Sequence, residues 1–422
     1  MTVQRFLILI HCLVLMNGTF LFAAEKELTP SFEEKGQLLF FQTDNGSTYS
    51  IDWGSNGTFF FKENEKPLLN YHFGAVRLPE EVEIHHFGVG PTVYDGAYFS
   101  DGSAFGGERS DYIQPLFGFC GEILTDDFPQ DHPHHRGCWL SFCEVRWNEK
   151  LGDLWAVCKI RAYPKKITQI KSVRDFESGK NAMQIEVVNV WRYDDDPTEI
   201  VEETVTIEVS STSGEEGQKS RTIDVSAKLK ALVEGVSIAG RQKVDYGGYS
   251  GMAVRMNPQA TDFSIRVVHP KPDQWNGVEN SMAERISDPD RFGNASWIAI
   301  YGKYPCSTFN EKAKENSNEN NQPDNEATNL SQTADTTDSS KGDFTTLGMF
   351  ESVNNPLYPN QFRYYSSRNI MIAFPGFSTL ALPKDETVLF QTRFWLRQGK
   401  TTLDEEKQAW DEYQESISQR KF

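Results

Sequence analysis

Apolar and polar positions alternate in short runs along most of this chain, and turn residues separate the runs. Gln37–Phe41, Tyr49–Trp53 and Thr58–Lys62 come first, divided by Asp44-Asn-Gly46 and Ser55-Asn-Gly57, which is hairpin chemistry. Val82–Phe87 alternates as well, carries His85 and His86, and leads into a Gly- and Asp-rich loop over Gly88–Arg109. Further strands are predicted at Ile185–Tyr193, Ile200–Val209, Thr222–Val236, Gly251–Met256, Phe263–His269, Ser296–Tyr301, Ile370–Phe374, Thr379–Leu382 and Val388–Leu396. No βα alternation and no internal repeat interrupts this text. The pattern predicts an all-β protein, an antiparallel sandwich formed by residues 25–422 as a single domain. Near the end the period changes: Leu403, Trp410, Tyr413 and Ile417 fit a helical stripe over 403–417, expected to pack on the sandwich edge.

Two segments fall outside this pattern. Arg5, the apolar run Phe6–Leu15 and the small pair Ala23-Ala24 predict a cleaved secretory leader over 1–24. That makes the mature protein secreted, periplasmic or surface-located, with no stable membrane span after cleavage. Residues 310–343 contain no aromatic side chain and are dominated by Asn, Glu, Asp, Ser and Thr. Such a segment buries too little surface to offset its ordering entropy, so it is expected to be a disordered insertion.

The net charge of −18 leaves no basic stripe, which excludes a nucleic-acid partner. Beyond Cys12 the cysteines are 120, 138, 143, 158 and 306, and none is spaced as a zinc ribbon or redox dithiol. Five thiols, or two disulfides and one thiol, fit the sequence equally.

Candidate chemistry concentrates in Thr125-Asp-Asp-Phe-Pro-Gln-Asp-His-Pro-His-His-Arg-Gly137. Pro133 biases His132 towards an extended conformation, so the expectation is His132 and His134 on one face and His135 on the other. Two imidazoles on one face can share a divalent metal ion or a substrate, and one of them can move a proton near neutral pH. Asp131 is placed to orient His132 or to pair with Arg136. In Val201–Ile207 the alternation puts Glu203 on the core face, where a carboxylate is costly unless paired or lining a cavity. In Tyr246–Met256, Tyr249 and Arg255 share a face with Gly251 and Ala253, leaving room for a planar ligand. Lys243 and His269 complete the substrate-binding candidates, with Arg136 and Arg255 as carboxylate or oxyanion holders. Trp139, Trp155, Trp191 and Trp297 are sugar platforms or, more simply, core. Nucleophile elbows, phosphate loops and His-Glu-x-x-His are missing.

With Asp131-His-Pro-His-His-Arg-Gly137, Tyr112-Ile-Gln-Pro-Leu116, Gly121–Asp126, Gly152-Asp-Leu-Trp155, Tyr246-Gly-Gly-Tyr-Ser250 and Asn355-Pro356, the chain resembles the DUF6807 family. That family is also labelled "methane oxygenase PmoA". The label implies copper-dependent methane oxidation, which a chain without spanning helices does not fit. The resemblance implies a sandwich of the galactose-mutarotase type, binding carbohydrate across one sheet, in secreted proteins of polysaccharide-degrading bacteria such as planctomycetes. Similar sequences carry His where Gln114 stands, and a histidine near Asn355-Pro356. The expectation is a carbohydrate-active enzyme of lyase, hydrolase or epimerase type, with His132, His134, His135 and Glu203 doing the chemistry. The alternative is a non-catalytic carbohydrate-binding protein of the cell surface.

Overall fold

The alternating runs become strands, and the apolar half of each run points into one shared core. The structure, a computed structural model, describes residues 35–42, 47–77, 79, 92–94, 97–99, 108–174, 181–213, 219–242, 248–268, 278–281, 294–306, 344–365 and 367–419. The leader, the insertion at 310–343, His85, His86, Lys243 and His269 lie outside the described residues.

Strands are numbered in chain order. The first sheet runs β1 (Gly36–Gln42), β2 (Thr48–Trp53), β3 (Thr58–Glu63), β4 (Lys66–His72), β7 (Tyr112–Leu116), β8 (Cys138–Ser141), β16 (Gly251–Arg255), β22 (Asn369–Ala373) and β21 (Gln361–Tyr365). The second runs β11 (Ile160–Arg174), β12 (Asn181–Tyr193), β13 (Val201–Ser213), β14 (Lys219–Ala231), β24 (Thr387–Gln398), β20 (Phe344–Glu351), β19 (Trp297–Lys303), β17 (Thr261–Val268) and β18 (Val278–Ser281). A four-stranded sheet joins β10 (Lys150–Gly152), β9 (Glu144–Trp147), β15 (Val236–Ala239) and β23 (Thr379–Leu382), while β5 (Thr92–Tyr94) pairs only with β6 (Ala97–Phe99). Neighbouring strands pair antiparallel throughout, as in β13 against β14 from Val201↔Ala231 to Ser213↔Lys219. The protein is all-β, as its periodicity predicts.

One hydrophobic core draws Ile51, Phe61, Ile113 and Val254 from the first sheet and Ile185, Val205, Ile223 and Phe394 from the second, which makes the pair a sandwich. In β16 the predicted division of faces holds. Met252, Val254 and Met256 enter this core, while Ala253 belongs to a separate cluster with Tyr112, Trp139, Cys143 and Trp155 on the outer face of the first sheet. That outer face carries the histidine block.

Three expectations are corrected. The predicted strand Thr222–Val236 breaks between β14 and β15, where Gly235 takes the left-handed region at φ +79 and turns the chain. Strand β11 lies outside the predicted runs because Pro164 and its Lys-rich neighbours obscure the alternation. It is an edge strand, bulged between Pro164 and Lys166, where a missing N–H is tolerated. The helix α1 (Leu403–Gln419) packs on a face and not on an edge. Its Ala409, Tyr413 and Ile417 cover Val268, Trp297, Phe350 and Trp395 on the outer side of the second sheet, because those large rings offer more apolar area than any strand edge.

The cysteines follow neither arrangement left open by the sequence. Cys120 and Cys306 form one bridge, and Cys138, Cys143 and Cys158 are free thiols. Cys138 enters the inter-sheet core while Cys143 lies on the outer face, so the sheet itself separates them.

Candidate functional site

Residues 117–137 leave the first sheet after β7 and return at β8, so the histidine block is an excursion between two paired strands. Both legs are tied to the end of β16. Asp126 N–H donates to Arg255 O (2.9 Å), Arg255 N–H donates to Gly137 O (2.8 Å), and Gly137 N–H donates to Asp126 O (2.8 Å). At the tip, His132 N–H bonds Pro129 O (2.9 Å) and His135 N–H bonds His132 O (2.8 Å), which makes two successive turns. The extended backbone expected from Pro133 is therefore not formed, and neither is the division of His135 from its neighbours. All three rings meet: His132 stacks on His135 at 4.7 Å and 9°, and His134 stands edge-on to both, at 5.6 and 4.5 Å.

The pins beneath the block are charged and buried. Arg136, 1 % exposed, pairs with Asp127, donates to the Tyr112 hydroxyl (2.5 Å) and lies 3.4 Å from the centre of the Phe128 ring. Its guanidinium is enclosed by its own partners, so Arg136 holds the block in place and does not face a ligand. Arg255 reaches back to Asp131 and places Nη1 3.3 Å from His135 Nδ1. Asp131 in turn accepts from His132 Nδ1 at 3.0 Å. Burial alone would raise the Asp131 pKa, but the His132 bond and the Arg255 charge outweigh it and hold the carboxyl at about 2. Burial, then neighbouring imidazoles and arginines, push His134 and His135 well below the ordinary histidine range. Both are neutral at physiological pH, whereas the His132 side chain is 43 % exposed.

Aromatic rings line the face around the imidazoles. Trp139 lies 5.3 Å from His135, Trp155 lies edge-on at 5.9 Å, and Tyr249 follows at 5.5 Å from Trp155. Arg241 sits 5.1 Å over the Tyr249 ring and 3.8 Å from Asp153. Trp139 and Trp155 are buried against the imidazoles, and Tyr249 is the half-buried ring of the row. Trp191 and Trp297 are core.

Glu203 stands elsewhere. The alternation predicted from Val201–Ile207 is observed, and it turns Glu203 into the space between the sheets, 2 % exposed. Its partners are Trp191 Nε1, at 2.8 Å, and Asp111, not the imidazoles. Asp111 also accepts from the Tyr71 hydroxyl (2.5 Å). Burial raises Asp111 to about 6, against the opposing Tyr71 bond and Arg109 charge, and burial together with Asp111 raises Glu203 well above the carboxylate range. The pair shares a cavity of about 30 Å³ with Arg109, Ser141 and Trp191, room for one or two waters. Asp111 carries no motif in the sequence; its left-handed φ of +62, just before β7, is visible only in the structure.

Gln114, on β7, is buried. Thr125 donates its hydroxyl to the Gln114 side-chain oxygen (2.5 Å), and Thr125 Oγ1 accepts from Leu116 N–H (3.0 Å). Near Asn355-Pro356, burial raises Glu351 to about 7, opposed by hydrogen bonds from Asn360 and Asn355. Among the described residues no three His, Cys, Asp or Glu side chains are arranged to hold a metal ion. A divalent ion on His132 and His134 would need a further ligand from outside this group.

The site and fold together describe an all-β sandwich with an imidazole cluster on the outer face of one sheet. The chain belongs to DUF6807, a family of unknown function, whose sequence profile matches residues 64–411. No curated protein and no solved structure matches it.

Proposed function

We propose that the protein acts on a sugar or oligosaccharide by proton transfer at this outer face, as a lyase- or epimerase-type enzyme. The observation that carries the reading is the Asp131–His132 dyad, 3.0 Å apart and partly exposed, stacked on His135. A carboxylate on Nδ1 fixes the tautomer and orientation of an imidazole, so that Nε2 gives or takes the proton. Arg255 holds Asp131 ionised, and buried neutral His134 and His135 supply hydrogen bonds without adding charge. Hydrolysis by a carboxylate pair is less favoured, because Asp131 is committed to Arg255 and His132 while Glu203 faces the interior. The Cys120–Cys306 bridge supports a secreted or periplasmic location, where disulfides persist. Among the described residues no helix is long and apolar enough to cross a membrane.

The test is proton NMR in D2O with a panel of mono- and oligosaccharides. The expected result is a substrate whose carbon-bound hydrogen exchanges or is eliminated, with the activity lost in His132→Gln. A second reading, binding without turnover, is favoured by the burial of two of the three imidazoles. It predicts that glycans bind wild type and His132→Gln alike and that no hydrogen exchanges. A folded wild-type protein that neither binds nor alters any glycan would sink both.

A further inference from the structure

The outer face continues past Tyr249 into a region that the proposed chemistry leaves unused. Strands β22 and β21 follow β16 in the sheet, and Arg363 and Tyr365, two apart on β21, share a face. Tyr365 meets Tyr249 edge-on at 6.4 Å, so this is the face that carries the imidazoles. Beyond β22 a tight turn closes through Ser378 N–H to Pro375 O (3.1 Å) and is fastened by Gly240 N–H to Gly376 O (2.9 Å). The turn presents Phe377, 43 % exposed, with the Arg363 guanidinium 5.0 Å from its ring centre. Gly248 backs the ring so closely that an added Cβ would lie 3.0 Å from it. An exposed phenyl ring held this firmly is a stacking surface already in place.

Arg363 differs from the other guanidinium groups nearby. Arg136 faces Asp127, Arg255 faces Asp131 and Arg241 faces Asp153. Arg363 donates to the neutral amide oxygen of Gln361 at 3.1 Å, and among the described residues no carboxylate pairs with it. In a chain of net charge −18, a guanidinium with no carboxylate partner among the described residues, set beside an exposed ring, suits an anion attached to a flat, C–H-rich surface.

We propose that Phe377 and Arg363 form a subsite for an acidic sugar unit, the ring stacking on the pyranose and the guanidinium holding its carboxylate or sulfate ester. The proposal rests on the carbohydrate reading above and narrows it to anionic oligosaccharides. From β8, which carries Trp139 beside His135, the sheet advances three strand spacings to β21, roughly 14 Å. That distance exceeds one sugar ring, so the anionic unit and the reacting carbon belong to different residues of the glycan.

The test is calorimetric titration of the full mature chain with trimers of galacturonate, mannuronate and glucuronate, their neutral counterparts, and a sulfated galactose trimer. Wild type is expected to prefer an acidic trimer over its neutral counterpart by about tenfold or more. Arg363→Gln should remove that preference, and Arg363→Lys should retain part of it, since the charge stays while the planar fork is lost. Phe377→Ala should weaken acidic and neutral trimers together, by about 3- to 10-fold. Preference for uronate alone, or for uronate and sulfate equally, supports the subsite and names the anion it takes. Equal binding of acidic and neutral trimers, or a preference that survives Arg363→Gln in a variant melting like wild type, overturns the subsite and leaves the carbohydrate reading standing. No binding of any trimer overturns both.

Discussion

Two regions of this molecule gather titratable side chains out of water, and they do so in opposite ways. On the outer face, His134 and His135 lose their charge to burial and to neighbouring cations. Between the sheets, Glu203 loses its charge to burial and to a neighbouring carboxylate. Perturbation alone does not tell them apart. The outer cluster ends in His132, half-exposed and tied to an ionised Asp131, so a proton can be exchanged with something outside. The inner pair is held by Trp191 and Tyr71, beside a cavity of about 30 Å³ that the part-exposed Glu108 and Arg161 help to line, with room for one or two waters. A shifted pKa marks only the absence of water, and the proposed chemistry rests on the half-exposed imidazole beside the buried ones.

The largest effect that would sharpen this contrast is on turnover. His132→Gln should lower kcat by about 10²- to 10⁴-fold while glycan affinity and melting temperature stay close to wild type. An equal loss from Glu203→Gln would erase the contrast, since that variant keeps the shape of a protonated carboxyl and is expected to leave kcat within about twofold. The next effect is on stability. Arg136→Met strands Asp127 beneath the histidine block and should cost about 3–5 kcal/mol in urea unfolding.

Smaller, and opposite in sign, are the pH slopes. Asp111 rises from 3.8 to about 6 on folding and Glu203 also rises, so the folded state binds protons that the unfolded chain has released. Their contribution is full below about pH 4 and is lost as pH climbs through about 6 and above. His134 and His135 are lowered from 6.5, so theirs is present above pH 6.5 and is lost as pH falls. Melting curves between pH 4 and 8 should show the alkaline loss, on the order of 2 kcal/mol, flattened in Asp111→Asn/Glu203→Gln. The acid loss should be flattened in His134→Gln. If both variants flatten the same limb, the assignment of charge states is wrong. Least of all, Thr125→Val removes the hydroxyl that serves Gln114 and Leu116, and should cost about 1 kcal/mol with kcat unchanged.

Much of the fold was legible because a strand's period of two survives translation into space. Strand β23 falls on the predicted Thr379–Leu382 boundary for boundary, and the two faces of β16 divide as their residue sizes foretell. The histidine block was legible as composition and not as shape. Pro133 argues locally for extension, whereas the legs at Asp126 and Gly137 are fixed by Arg255, more than a hundred residues away. Such a tertiary constraint leaves no local pattern. Glu203 was placed correctly on the core face, but a strand pattern does not reveal which residues it meets there. Asp111 and Phe377 escaped notice because neither sits in a cluster of like chemistry; each acquires its partners only when distant strands meet.

Gly137 takes a left-handed φ of +51, and a Cβ there would stand 2.0 Å from the carbonyl oxygen of Ile113. The last letter of His-His-Arg-Gly is thus dictated by steric fit against β7 and not by chemistry. It works as a spelling check when other genomes are searched for this site. A sequence that keeps all three histidines but writes any other residue after the arginine has lost the approach of the returning leg to the sheet. It should be set aside as a different molecule.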